Sequence, residues 1–354
     1  MVPDAPAAPA EPWCSISASR DFAGWLADQK VSLAFTTYQT GKLFLVGQRG
    51  GQPSIFERTF NRAMGLWGDG QTMWMSSLYQ LNRFENALRP GELHEGYDRL
   101  YIPRATHTTG DLDVHDVAVE ASGRLLFLCS KFSCIATISD RHSFSPLWRP
   151  PFVSKLAPED RCHLNGLALE GGRARYVTVV GRTDALEGWR ARRRDGGCLL
   201  EVPSGEPIVT GLSMPHSPRV YGDRLWLLDS GNGYFGPVDR AAGKHERLTL
   251  CPGYARGLAF TGNYAVVGLS LPREKTFGGL ALDDELAKRG ADPRCGLIVI
   301  DLRSGDICHW LRFDTVVTEL YEVVVLPGVA RPMALGFKTD EIARTLSIGD
   351  EGAL

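Results

Sequence analysis

No stretch of the 354-residue chain approaches the roughly 18 consecutive apolar residues that span a membrane. Nor is there an excess of charge of either sign. The 39 basic and 41 acidic residues leave a net charge of −2, too little for the electrostatic footprint of a nucleic-acid or membrane-surface protein. The eight cysteines include no Cys-x-x-Cys pair. Their spacing shows no disulfide framework, so they are expected to be reduced and buried as small core hydrophobes. The segment Met1–Pro12 is rich in Pro and Ala but has no basic region ahead of an apolar core. It does not read as a secretory signal, and the expected compartment is the cytoplasm. The common catalytic signatures are missing too: no P-loop, no G-x-G-x-x-G after a strand, no G-x-S-x-G elbow and no H-E-x-x-H.

What is present is a β pattern. One short helix is predicted near Arg20–Lys30, with Ser19 as its cap and Phe22, Trp25 and Leu26 on one face. After it come short runs of β-branched, aromatic and large apolar residues. They include Ser32–Tyr38, Lys42–Gly47, Arg124–Cys129, Tyr176–Val180, Arg224–Leu228, Tyr264–Leu269 and Leu297–Leu302. Gly, Asp, Asn or Ser punctuates these runs, as strands joined by tight turns require.

The runs also repeat. Six segments, opening at Arg62, His115, Asn165, Ser217, Arg256 and Glu322, share a polar residue, a short apolar strand and a turn. They recur about every 40 to 65 residues, the period of four-stranded blades. The expected fold is therefore all-β, a six-bladed β-propeller, with seven blades if the two chain ends form separate sheets. Closure should pair strands around Glu322–Phe337 with those around Ser32–Phe60, because an open blade leaves an unpaired edge. The expected organisation is a disordered tail over 1–16, one propeller domain over 17–345 and a short tail over 346–354. A helical insertion over Lys275–Pro293 is expected on one face of the disc, as a lid or a partner contact.

In a propeller the innermost strands line a central channel, so residues opening successive repeats converge at one mouth. Three of the eight histidines fall there: His115, His163 and His216. Three imidazoles near one axis form the ligand set of a divalent transition metal (zinc, copper or iron) that keeps an open position. Neighbouring carboxylates such as Asp113 and Asp116 are placed to orient the rings. The alternative is that each His caps a strand end and hydrogen-bonds the loop that carries it. The three do not occupy one repeat position, which weighs against a shared ion. Arg62, Arg219 and Arg256 add cations suited to an anionic group on a ligand, or to ion pairs with Asp116, Glu319 and Glu322 inside the channel. Asn165 adds a polar contact at the same mouth. Glu322, Asp116 and Tyr321 are the candidate acid or base groups.

Several of these segments, notably Asp113-Val114-His115-Asp116, His163-Leu164-Asn165-Gly166 and Pro215-His216-Ser217-Pro218-Arg219, resemble a bacterial family of uncharacterised, propeller-like conserved hypothetical proteins. The resemblance spans roughly residues 20–340. It implies the propeller and no particular activity. A looser likeness connects the chain to propeller enzymes with an axial metal. The lyase that amidates peptides by cleaving peptidyl hydroxyglycine binds zinc through histidines of different blades, and gluconolactonase-type propellers hold calcium with Glu, Asn and Asp. Three His fit the first likeness better than the second. Both are analogies of fold.

Three readings follow from the residues. The first is a metal-dependent lyase, hydrolase or oxidase acting on a polar small molecule or modified peptide. The second is a non-catalytic propeller that binds a ligand or protein across its face. The third is a metal-free acid–base enzyme using the same histidines. None involves nucleic acid or a membrane.

Overall fold

Short apolar runs separated by turn residues can bury both faces only by pairing edge to edge and stacking face to face. The computed structural model, which describes residues 13–272 and 278–349, does this six times. The six sheets are the blades of a propeller. Their inner strands are Leu66–Gly68, Val114–Val119, Leu164–Glu170, Pro215–Tyr221, Tyr254–Thr261 and Val323–Pro327, numbered here as blades one to six. Each inner strand packs against the next, and the sixth returns to the first.

Every strand predicted from the sequence is present with its ends shifted by a few residues; Tyr176–Val180, for example, is part of Arg173–Val179. The predicted helix is α1 (Phe22–Gln29), with Phe22, Trp25 and Leu26 buried against the outer strands of blades five and six. Its cap position is Asp21 and carries no side-chain cap bond. Ser19 does not cap it. The Ser19 hydroxyl instead contacts His309 and accepts the Trp310 amide, because Ile16–Ala18 has been drawn into a sheet.

Closure is of the expected kind and goes further. Val323–Pro327, near the C-terminus, pairs antiparallel with Val31–Thr37, so blade six is built from both chain ends. Two further straps cross blade boundaries. Ile16–Ala18 extends the outer edge of blade five, and Pro332–Ala334 adds a parallel strand to the outer edge of blade one. Chain end is thus laid on three consecutive blades. The expected tails lie outside the described residues up to position 12 and from position 350, as do positions 275–277 of the expected insertion. From Trp13, which stacks on Phe44, the chain is held.

The core lies between blades. One cluster joins Phe35, Phe44, Val299 and Phe313 of blades five and six, and another joins Leu128, Leu164 and Val177 of blades two and three. Burying each such side chain stabilises the fold by roughly 1.5–3 kcal/mol. Six cysteines are buried as expected, but Cys308 is exposed and Cys14 half-buried; all are free thiols.

Candidate functional site

The channel mouth is built by a backbone device repeated in successive blades. Asp113, His163 and Met214 each immediately precede an inner strand, and each has a left-handed backbone, with φ of 53°, 49° and 47°. This conformation is rare in non-glycine residues and turns the chain sharply into the strand. It also gives the true register of the repeats. Asp113, His163 and Met214 are equivalent, and so are His115, Asn165 and His216 two residues on. His163 therefore approaches the mouth from a different repeat position than His115 and His216.

A cavity of about 330 Å³ opens at this mouth. Of the predicted residues, His115, His163, Arg62, Arg256 and Tyr321 line it. The rings of His115 and His163 meet edge to face with centroids 4.7 Å apart, and Tyr321 lies 5.4 Å from His115. Tyr38 stacks on Tyr321, and the buried Arg256 guanidinium sits 5.2 Å from the Tyr321 ring. At the rim, Arg62 and Lys131 share the single carboxylate of Asp111.

The hydrogen bonds decide which imidazole nitrogen carries the proton. Ser130 donates its one hydroxyl proton to the Leu164 carbonyl at 2.5 Å. Its oxygen must then accept from His115 Nδ1–H at 2.7 Å, a proton shared with the Asp113 carbonyl at 2.9 Å. Burial chiefly pushes the His115 pKa down to about 4, against the pull of Asp113 and with help from His163 and Arg256. The ring is therefore neutral, with a bare Nε2. His163 gives Nδ1–H to Asp160 Oδ2 at 2.8 Å, and the same oxygen accepts Trp189 Nε1–H at 2.8 Å. Burial pushes the Asp160 carboxyl up, but His163, His115 and the indole outweigh it and hold the group below its ordinary value. Asp160 is thus an anion, and neutral His163 also presents Nε2 as its free acceptor.

His216 behaves differently. Thr178 donates to Asn165 Oδ1 at 2.7 Å and so sets the amide, whose Nδ2–H faces His216 Nε2 at 3.4 Å. Burial, then Arg256 and the other two histidines, hold the His216 pKa well below the ordinary imidazole value. His216 does not line the cavity. Among the described residues no group of three or more His, Cys, Asp or Glu side chains is arranged to hold a metal ion. The expected three-histidine arrangement is corrected to two imidazoles with bare Nε2 atoms and a third engaged by Asn165.

Asp116, Glu322 and Arg219 are also absent from this cavity. The strand Pro215–Tyr221 carries a bulge between His216 and Arg219. Arg219, three residues further along, lies about 10 Å deeper at the usual strand rise. There its guanidinium meets Asp116 at 2.8 Å and Glu322 at 3.1 Å. Asp116 also accepts the amides of Val117 and Leu167, and Glu322 those of Val323 and Leu258. The three charges from blades two, four and six, with amides from blades three and five, form a clasp across the channel. Arg219 lines a second cavity of about 310 Å³ beyond it, walled by Leu66, Val117, Leu167, Leu258 and Val323. The acid–base roles expected of Asp116 and Glu322 at the histidine mouth are thereby corrected, because both carboxylates are consumed by Arg219.

The residues that sequence reasoning missed are Asp160, Trp189 and Ser130. None lies in an inner strand. The one available signal was Asp160 standing three residues before His163.

Residues 20–335 match the family described as a domain of unknown function, DUF4915, and the chain belongs to that family. No curated protein matches it. Among solved structures, it is similar to a chain of the nidogen/laminin complex, with 14% identity, a TM-score of 0.53 and coverage of 84% of this chain and 99% of that one. It is also similar to a protein of unknown function from Bacteroides caccae, with 10% identity, a TM-score of 0.49 and coverage of 83% and 98%. A third is a catalytically inactive variant of virginiamycin B lyase from Staphylococcus aureus with quinupristin, with 11% identity, a TM-score of 0.40 and coverage of 84% and 99%. At these identities the likeness is one of fold: a six-bladed β-propeller.

Proposed function

We propose that the histidine mouth is an enzyme active site that moves a proton on a polar small molecule or a peptide end. The observation that carries this reading is the buried Asp160–His163 pair lining the cavity. An anionic carboxylate fixes the imidazole tautomer and stabilises the imidazolium that forms when Nε2 takes a proton, the arrangement of an oriented general base. Arg256 supplies a buried positive charge for an anionic substrate group, and Tyr38, Tyr321 and Trp189 supply aromatic walls. The reaction class this supports is elimination or hydrolysis. His163→Asn should lower turnover by about 10²–10⁴-fold in a lyase and hydrolase screen, the usual worth of a positioned acid–base group. Wild-type turnover that the substitution leaves intact would sink the proposal.

A second reading, a divalent metal, is favoured by one observation. Both lining imidazoles are tied at Nδ1 to oxygen, as histidine ligands of metals usually are. His115 and His163 would be the protein ligands, with substrate or water completing the shell. In such a site zinc, copper or iron would polarise the bound group. Mass spectrometry of tag-free protein, beside His115→Ala/His163→Ala, separates the two. About one equivalent lost in the folded double variant selects the metal enzyme; no metal uptake selects the metal-free one.

A further inference from the structure

The insertion of blade five is built into the wall behind the active site. Its helix α2 (Ala281–Lys288) buries Leu282 and Leu286, and with Leu280 these pack against Val180, Trp189, Met214 and Tyr254. The helix is pinned by the Leu282 amide on the Gly231 carbonyl at 2.9 Å and by the Tyr254 hydroxyl on Asp283 at 3.3 Å. Trp189 is thus the layer between the insertion and the histidine pair.

Trp189 itself comes from a long connection in blade three, on the short helical turn Gly188–Arg192. The Glu187 amide donates to the Glu159 carbonyl at 2.9 Å, tying that connection to the segment carrying Asp160 and His163. The indole is 3% exposed. It stacks on His163 with centroids 4.2 Å apart, and the Arg190 guanidinium lies 4.6 Å from its ring. Its N–H meets Asp160 Oδ2.

The other oxygen of that carboxylate, Oδ1, is buried with no hydrogen-bond partner among the described residues. The orientation of Asp160 therefore depends on two donors to one oxygen, His163 and the indole. Without the indole, the carboxylate is free to turn Oδ1 toward His163 or away from it. We infer that Trp189 is a positioning residue of the Asp160–His163 pair, and that the 278–293 insertion acts on the site by holding Trp189 in place. The inference rests on the reading of that pair as the proton-transfer group. It assigns the insertion a part in the site in place of a lid or a partner contact.

The test reads the imidazole nitrogens directly, by nitrogen-15 NMR of histidine-labelled full-length protein at about pH 8, where ordinary imidazoles are neutral. Wild-type His163 should show the Nδ1–H tautomer alone. Trp189→Phe keeps an aromatic ring and removes the N–H; it should lose that single-tautomer signature at His163. His115, tied to Ser130 and the Asp113 carbonyl, should keep its own. Leu286→Ala keeps the indole and loosens its backing, and should give the same loss in smaller degree; it also serves if Trp189→Phe does not fold. An unaltered His163 in folded Trp189→Phe overturns the positioning role alone, and an unaltered His163 in Leu286→Ala overturns the role of the insertion. A wild-type His163 protonated at Nε2 overturns the pair and this inference with it.

Discussion

Arg219 lies between two carboxylates inside the channel, and removing it would strand both. Breaking a buried ion network by deleting one partner typically costs about 3–5 kcal/mol. Arg219→Met should lower unfolding stability by about that amount in urea titrations, and unchanged stability would contradict the clasp. Glu322 makes a pH prediction. Burial, with Asp116 adding and Arg219 opposing, raises its pKa from 4.5 to about 8. A folded-state pKa above the unfolded value means that the native state binds the proton more tightly. The stability this group contributes is therefore complete below about pH 4.5 and lost as pH rises through about 8. The melting temperature should fall across that window, and Glu322→Gln should flatten the fall. Identical profiles in the two proteins would show that Glu322 titrates elsewhere. Of the charged and polar residues read from the sequence, the placement of His115 and His163 at one mouth was legible because both belong to a repeat. The partners that define their chemistry were not, since Asp160, Ser130 and Trp189 come from connecting loops.

At the scale of elements, the inner strands hold the site by approaching one another closely. Gly257 has φ of +75°, and a Cβ there would come 2.6 Å from the Val323 nitrogen. Its amide also donates to Ser217 at 3.1 Å. Gly257→Ala combines a backbone clash with a left-handed conformation that alone costs roughly 1–2 kcal/mol in an L-residue. It should lower the melting temperature by several degrees, and a neutral effect would mean that the strands of blades five and six can separate freely. The helices were legible from their spacing of apolar residues. The bulge between His216 and Arg219 was not, because nothing local distinguishes a residue that is skipped in pairing from one that is paired. That one-residue irregularity sends Arg219 to the clasp and keeps it out of the histidine mouth.

For the whole molecule, ring closure is the controlling contact. Blade six exists only when Val323–Pro327 from one end meets Val31–Thr37 from the other. A chain ending before residue 320 should leave blade six with an exposed edge and an open ring. It should be cleaved by protease far faster than the full chain. A chain ending before residue 330 loses only the parallel strap on blade one and should resist much more nearly like the intact protein. Equal resistance of the two truncated chains would argue against closure through blade six.

Alternating apolar runs and turn residues determine the strands, and their recurrence determines the blades and their number, because both are local properties that repeat. The convergence of His115 and His163 follows from that recurrence. The tertiary structure alone decided which side chains meet them. Whether a carboxylate reaches an arginine, an imidazole or water depends on register, on a single bulge and on loops whose course is set by packing against the insertion. Those distances of a few ångströms separate Asp160 at His163 from Asp116 and Glu322 at Arg219, although all three are carboxylates placed within a few residues of an inner strand.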